Sequence, residues 1–164
     1  MESAFVSEKI KNRFGDRILL DEMSGDMQCI TVKHDGIHDL VRFLYDDEEL
    51  KFRFLTSING MHFPDGPEKF SIVIHLHAWT HNYRLRLKAY TSQDPPVFPT
   101  FTDIFPAANW MERETYDFFG FRFTGHPDLR RILNVDDMVG FPMRKEFPLE
   151  DQARYDKDDK MFGR

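Results

Sequence analysis

The residues of this chain best suited to chemistry are three acids in one short stretch, Glu112, Glu114 and Asp117. One interpretation is an acid/base cluster, since a pair of carboxylates can serve as general acid and general base. No nucleophile, metal-ligand set or phosphate-binding loop accompanies them in the sequence, which disfavours catalysis. Two other interpretations remain open. The acids belong either to a solvated helix face with a salt-bridge network, or to a motif that fixes the C-terminal residues onto the fold and onto partner chains.

A helix that opens at Pro106 is expected to position the acids. Proline is tolerated in the first helical turn, and Thr102 or Asp103 lies just upstream as a candidate N-cap. Gly120 is suited to end the helix, because glycine adopts the left-handed conformation of a C-cap at little cost.

Helical spacing predicts the neighbours of the acids. Trp110, Glu114 and Phe118 fall on one stripe, so we expect the Glu114 carboxylate to enter an aromatic seam, where it needs a hydrogen-bonded partner. Arg113 and Asp117 are expected to pair along the surface, which contributes only about 0.3–0.5 kcal/mol. That energy is too small to explain so charged a stretch.

Two arginines downstream, Arg130 and Arg131, are candidate partners for these carboxylates. We expect them to make charge-assisted hydrogen bonds, either back to Glu112, Glu114 or Asp117 or across to a neighbouring chain.

A second set of polar residues lies on a predicted strand. His75, His77 and His81 follow the spacing His-x-His-x-x-x-His, which could bring imidazoles to a zinc ion. The aliphatic residues that alternate with them between Ile72 and Leu76 are expected to face the core, which places the histidines on the outer face. An ordinary polar sheet face is therefore preferred to a zinc site. Arg84, Arg86 and Lys88 alternate along the next strand, as a solvated row or as a surface for an acidic partner.

Composition limits the possible functions. The chain has 164 residues and a formal net charge of −6, which fits one domain and argues against binding nucleic acid. Its single cysteine, Cys29, excludes an internal disulfide and a self-contained iron–sulfur cluster, and is expected to pack as a small apolar residue. No apolar run approaches the roughly 20 residues that span a bilayer. The N-terminus carries no export signal, so the cytoplasm is the expected compartment.

The pattern of apolar residues predicts an α+β fold. We expect a two-layer α-β-β-α-β-β-β sandwich, with helices on one face of a mixed or antiparallel sheet, followed by a helix and an extended C-terminal tail. The predicted elements are a helix over Ser3–Phe14, a hairpin of Arg17–Asp21 and Met27–Lys33, a helix capped by Asp35, and three strands marked by Phe52, Phe54 and Ile58, by Ile72 to Ala78, and by Tyr83 to Ala89.

The chain divides near Phe121 by this criterion. Residues 1–120 are expected to form the α+β domain, including the helix that opens at Pro106, and residues 121–164 an extended partner-binding tail. Phe121, Phe123, Phe141 and Phe147 follow no internal pattern able to bury them, so we expect a partner surface to cover them. The stretch Glu150–Arg164 is expected to be a solvated end.

The stretch around the three acids resembles the signature of the 30 kDa subunit family of respiratory complex I, the proton-pumping NADH:quinone oxidoreductase. That signature is filled here by Glu112, Arg113, Glu114, Asp117, Phe118, Phe119, His126, Arg130, Arg131, Ile132 and Leu133. The resemblance extends over roughly residues 100–149, and we add Gly120 and Arg144 to the signature or partner-binding residues.

The resemblance implies a structural subunit without activity of its own, acting only as part of a multi-subunit oxidoreductase. It implies that this chain holds no cofactor and that FMN, iron–sulfur clusters and quinone lie on partner subunits. The expected partners are the large quinone-site subunit, the subunit with the terminal cluster and other peripheral-arm subunits, on the cytoplasmic side of the bacterial inner membrane. The alternatives are the same subunit in a ferredoxin-, F420- or hydrogen-fed oxidoreductase, and an independent small enzyme.

Overall fold

The structure, a computed structural model, describes residues 3–148. Helices α1 to α3 and strands β1 to β7 follow one another along the chain as α1 Ser3–Phe14, β1 Ile18–Ser24, β2 Met27–Val32, α2 Ile37–Asp46, β3 Phe54–His62, β4 Phe70–Ala78, β5 Tyr83–Thr91, β6 Val97–Pro99, α3 Ala108–Phe119 and β7 Arg122–Thr124.

The first five strands form one mixed sheet in the order β1-β2-β5-β4-β3. Strands β2 and β5 are parallel, and the other neighbours are antiparallel. The core contains residues from α1, α2 and the facing side of the sheet, so the helices cover one face. The predicted α+β sandwich with a mixed sheet is therefore confirmed. A second, two-stranded parallel sheet of β6 and β7 was not predicted.

Helix α1 has the predicted bounds because its apolar residues recur at helical spacing. Val6, Ile10 and Phe14 are buried on one stripe, as expected. The hairpin of β1 and β2 that follows is also confirmed, and it turns at Gly25, whose φ of 68° is in the left-handed region.

Helix α2 keeps its predicted apolar stripe but not its predicted cap. The buried residues are Ile37, Leu40, Val41 and Leu44, as the spacing indicates. The prediction that Asp35 caps the helix is wrong, because a short 3-10 turn over His34–Gly36 leads directly into it and no side chain accepts a hydrogen bond from its first amides.

Strand β3 departs from the simple alternation expected for it. Phe54 is 43% exposed, although it was expected to share a buried face with Phe52 and Ile58. The pairing register of β3 with β4 shifts between Leu55 and Ser57. That irregularity changes which side chains face the core, so Leu55 is buried in place of Phe54.

Helix α3 begins at Ala108 and no side chain caps it, so the predicted caps Thr102 and Asp103 are wrong. The Asp103 carboxylate is instead engaged by α2, where Arg42 donates to it at 2.5 Å and His38 lies 3.1 Å away. The predicted end of the helix is confirmed, since Gly120 adopts φ 79°.

The expectation that Phe121 and Phe123 need a partner surface is wrong. Phe121 is fully buried and Phe123 is 4% exposed, and both belong to the core. Strand β7 pairs with β6, which places Phe121 in a stack with Phe98 at 5.7 Å between ring centroids. Leu149 and the stretch Glu150–Arg164 lie outside the described residues.

No helix within residues 3–148 is both long enough and apolar enough to cross a bilayer.

Candidate functional site

Asp117, in the last turn of α3, is a fully buried carboxylate that fastens a distant part of the chain. Its Oδ2 accepts hydrogen bonds from the backbone amides of Ile132, Leu133 and Asn134 at 2.8 to 3.1 Å. Its Oδ1 accepts from the Asn134 side-chain amide at 3.0 Å and from Arg131 Nη1 at 2.8 Å. We call residues 126–148, which Asp117 helps to hold, the C-terminal segment.

The environment of Asp117 favours its charged form. Burial alone would raise the pKa of this carboxyl, because it penalises the charged form. The backbone amides of Asn134, Leu133 and Ile132 and the Asn134 side chain outweigh burial and hold the pKa of Asp117 well below its ordinary value.

Two arginines extend the same network. Arg131 pairs with Asp117, and its other terminal nitrogen donates to the carbonyls of Met138 at 2.9 Å and Gly140 at 3.1 Å. Arg113 is 7% exposed and donates to the carbonyls of Arg130 and Arg131 at 3.2 and 3.1 Å. The predicted surface pair of Arg113 and Asp117 is wrong, whereas the predicted bond from Arg131 back to Asp117 is confirmed.

Gly120 gives the segment room to lie against the end of α3. A Cβ atom at Gly120 would stand 2.5 Å from the ring of Phe141, so the glycine is required by space as well as by its positive φ. Arg144 then crosses the same corner: its Nε donates to the Phe119 carbonyl at 2.7 Å, and its guanidinium lies 4.9 Å from the Phe141 ring centre.

Histidines fix both ends of the segment. His126 accepts a hydrogen bond from the Asp128 amide at Nδ1, so its Nε2 is the nitrogen that donates to the Asn109 carbonyl at 3.2 Å. His62, at the end of β3, accepts from the Lys145 amide at 3.1 Å and stacks on Phe70. Sequence reasoning missed His62, since nothing in the sequence marks its contact with Lys145.

Glu112 is a second fully buried carboxylate on α3, and it holds the turn before the helix. It accepts hydrogen bonds from the Thr100 hydroxyl at 2.7 Å and the Phe101 amide at 2.6 Å. Burial raises the pKa of Glu112 to about 7, against these two hydrogen bonds. Thr100 was also missed, because a lone threonine carries no signal.

Two of the signature residues, Glu114 and Arg130, have side chains that point outward. Glu114 is exposed, and Trp110 beside it is 60% exposed, so the predicted aromatic seam around Glu114 is wrong and Glu112 is buried instead. The Arg130 side chain pairs with Asp128 on the surface, and only its carbonyl joins the network. The structure thus brings Arg113, Asp117, Gly120, His126, Arg131 and Arg144 together along the C-terminal segment, and leaves Glu112 on another side of α3.

His75 of β4 makes hydrogen bonds to other side chains of the sheet. His75 Nδ1 lies 3.0 Å from the Ser57 hydroxyl, and its Nε2 accepts from Arg86 Nε at 2.8 Å. Among residues 3–148, no group of three or more His, Cys, Asp or Glu side chains is arranged to hold a metal ion.

The C-terminal segment is held firmly but leaves apolar side chains in solvent. Leu133 is 64% exposed, Val135 67%, Val139 89% and Met143 53%. This arrangement holds an irregular segment in one conformation, with apolar side chains on its outer side.

Comparison with known proteins gives a consistent match. The model of the family described as respiratory-chain NADH dehydrogenase, 30 Kd subunit, matches residues 30–153. The NADH-quinone oxidoreductase C subunit of Methylobacterium radiotolerans is 39% identical over 158 residues, covering 94% of this chain and 73% of that protein. Its counterpart of the same name in Rhodobacter capsulatus is 40% identical over 162 residues, covering 93% and 80%.

Solved structures agree with the fold. The trypsin-resistant fragment of Nqo5 superposes with a TM-score of 0.66 at 29% identity, covering 79% of this chain and all of that fragment. A chain of the membrane-bound sulfane sulfur reductase, an archaeal respiratory membrane complex, gives a TM-score of 0.77 at 23% identity, covering 91% of this chain and 87% of its own, a likeness of fold alone. The match over residues 30–153 and the identity to the two bacterial relatives show that this chain belongs to the respiratory-chain NADH dehydrogenase 30 Kd subunit family.

Proposed function

We propose that this chain is a structural subunit of the peripheral arm of a proton-translocating NADH:quinone oxidoreductase, and that its C-terminal segment is a docking surface for neighbouring subunits. The neighbours we propose are the large quinone-site subunit and the subunit that carries the terminal cluster. The chain works on the cytoplasmic side of the membrane and has no activity of its own.

One observation carries this proposal: the C-terminal segment is fixed by buried charges and yet exposes a row of apolar residues. Ordering an irregular segment costs conformational entropy of about 1–2 kcal/mol per residue, which an isolated domain has no need to incur for solvated valines and leucines. Exposed apolar surface on a rigid segment is what a protein interface requires.

The cofactors of the complex belong to the partners in this proposal. FMN and iron–sulfur clusters need binding loops or several cysteine ligands, and this sequence contains one cysteine, which is buried. Metal analysis and an absorbance spectrum of the purified chain check this point, and a stoichiometric metal or flavin would contradict it.

NADH is the electron donor that the comparisons favour for the complex. The two relatives near 40% identity are NADH-quinone oxidoreductase subunits. Co-purification with a flavin-bearing subunit that oxidises NADH supports this donor, whereas a complex fed by ferredoxin, F420 or hydrogen would lack that subunit.

The docking surface is tested by placing a charge on it without disturbing the fold. In cells whose only copy of this gene carries Leu133→Asp or Val139→Asp, we expect the chain to be lost from the membrane-bound complex and NADH:quinone activity to fall with it. The reason is that burying an unpaired carboxylate in an interface is strongly unfavourable.

Phe5→Asp is the matched control, because Phe5 is 41% exposed on α1, away from the C-terminal segment. We expect this variant to assemble normally, and all three purified chains to melt within a few degrees of the wild type. Normal assembly of Leu133→Asp and Val139→Asp would refute the docking role of the segment.

A further inference from the structure

The sheet has a second face, which the helices leave uncovered. Ile74 on β4 and Leu87 on β5 point into the core. Because successive side chains of a strand point to opposite faces, the residues that alternate with these two along each strand point to the other side of the sheet. We call that side the outer sheet face. Its members include Phe54, His75, His77, Trp79, Arg84, Arg86 and Lys88.

This face is cationic in a chain whose formal net charge is −6. Arg84, Arg86 and Lys88 follow one another along β5, and within residues 3–148 none of them has an acid side chain at ion-pair distance. Lys11 and Arg131, by contrast, are paired with Asp21 and Asp117. Glu22 of β1 lies on the same face, beyond Cys29, so the three cations leave this face with an excess of positive charge.

The central arginine is held in place rather than free in solvent. Arg86 Nε donates to His75 Nε2 at 2.8 Å, which makes Nε2 an acceptor and puts the ring proton on Nδ1, where it donates to the Ser57 hydroxyl. A terminal nitrogen of Arg86 also donates to Ser24 at 3.3 Å. Burial, followed by the charges of Arg86 and Lys88, lowers the pKa of His75, so this ring stays neutral and keeps Arg86 in position.

Beside the cations lies a histidine with an unmet hydrogen bond. His77 is 6% exposed, and its Nε2 is buried without a partner among the described residues. Its ring lies 4.9 Å from Trp79 and 6.4 Å from Phe54, and these two side chains are 66% and 43% exposed. Leaving a buried polar atom of this kind unpaired is unfavourable.

We propose that the outer sheet face binds an acidic patch of another protein chain in the assembled complex. The surface is complementary to such a patch: carboxylates pair with Arg84, Arg86 and Lys88, and the exposed rings of Trp79 and Phe54 supply apolar contact. A membrane surface fits less well, because lipid-binding clusters usually gather about four to eight cations. Nucleic acid is disfavoured by the overall negative charge.

Zero-length cross-linking of the assembled complex tests this surface. A carbodiimide joins a lysine amine only to a carboxylate in direct contact, so Lys88 is the reporter. We expect a peptide containing Lys88 to be joined to an aspartate or glutamate of another chain. Cross-links from Lys88 that are absent, or that reach only this same chain, would overturn the proposal.

Charge reversal gives a second, independent measurement. Arg84→Glu is compared with Arg13→Glu, since Arg13 is an exposed arginine on α1, on the helical side of the sheet. We expect Arg84→Glu to weaken association about tenfold, seen as loss of the chain from the complex as salt is raised, because like charges then face each other. Arg13→Glu should assemble as the wild type does, and both purified chains should melt alike.

Equal recovery of the two variants would overturn the proposal. So would a membrane result, in which Arg84→Glu lowers binding of the purified chain to phosphatidylserine vesicles but leaves assembly unchanged. This inference rests on the proposed function, because both assume assembly into a complex. The two fail differently. If the C-terminal segment is not a docking surface, the Lys88 cross-link is still expected; if the outer sheet face binds no partner, Leu133→Asp still impairs assembly.

Discussion

Replacing Asp117 with alanine should be among the most damaging single changes in this chain. The change leaves five donors without their acceptor: the amides of residues 132 to 134, the Asn134 side chain and Arg131. Asp117 is fully buried and the Arg131 side chain is 11% exposed, so water does little to compensate them.

The magnitude follows from that burial. Removing one partner of a buried, hydrogen-bonded ion pair costs about 3–5 kcal/mol. A domain of this size is stable by about 5–15 kcal/mol, so the loss is a large fraction of the total. The control is Asp128→Ala, because Asp128 and Arg130 pair with 55% and 70% of their side chains exposed, a geometry that contributes about 0–1 kcal/mol.

The effect should also depend on pH in a defined direction. The pKa of Asp117 lies below its ordinary value in the folded chain, so over the acidic range the unfolded chain binds the proton more readily and stability rises with pH. The free-energy difference between wild type and Asp117→Ala should therefore be complete near neutral pH. It should shrink as the pH falls below the ordinary range of an aspartate, about 4.

Urea unfolding and hydrogen exchange together measure this effect. The midpoint of unfolding gives the total loss, and amide exchange at residues 132 to 134 shows whether the C-terminal segment detaches before the rest. A loss below about 1 kcal/mol, with unchanged exchange at these three amides, would refute the role assigned to Asp117.

Three further changes follow from the same structure. Burial raises the pKa of Glu112 to about 7, so the folded chain binds this proton more tightly than the unfolded chain. The free energy of unfolding of the wild type should therefore fall by about 3 kcal/mol as the pH rises from about 4.5 to about 7. In urea unfolding, Glu112→Gln should lack this fall over the same pH range. Gly120→Ala should cost about 1–3 kcal/mol in thermal unfolding, since the new Cβ meets Phe141 at a positive φ, whereas Gly15→Ala, with nothing within 4 Å, should be nearly neutral. Cys29→Ser should lower stability by about 1 kcal/mol while leaving assembly and quinone reduction intact, because the thiol is buried and has no redox partner; loss of turnover without loss of assembly would contradict it.

The elements that the sequence predicted well are those whose apolar residues repeat at one period. The stripe of α1 and the alternation of β5 each bury one face against the core, so local spacing was enough, whereas β4 is buried on both faces with only His75 partly exposed. Phe54 was placed wrongly because a shift in pairing with β4 moves it to the outer side, and pairing irregularities leave no mark in a single sequence. Phe121 was misjudged for a related reason, because its burial depends on β6, a strand distant in the sequence.

The side of α3 that faces the sheet explains why Glu114 was wrongly predicted to be buried. The large rings of Trp110 and Phe118 suggested the buried stripe, but the helix packs on β3 through Thr115, whose methyl group would touch a Cβ at Gly60 at 3.0 Å. A small residue on the sheet thus sets the contact face, and Glu112 rather than Glu114 is carried inside. Apolar size alone could not reveal this.

Charge, rather than apolar periodicity, determines the path of the C-terminal segment. A segment without helix or strand has no repeating apolar face, and several of its apolar side chains are in solvent, so burial of hydrocarbon cannot select one register for it. Hydrogen bonds to a buried carboxylate can, because they are satisfied only when the amides of residues 132 to 134 converge on Asp117. A shift by one residue would break this convergence and leave the charge of Arg131 without its partner. Burying these ions costs energy, but it selects one conformation of the segment. Such a fixed conformation suits the docking role that we propose for the C-terminal segment.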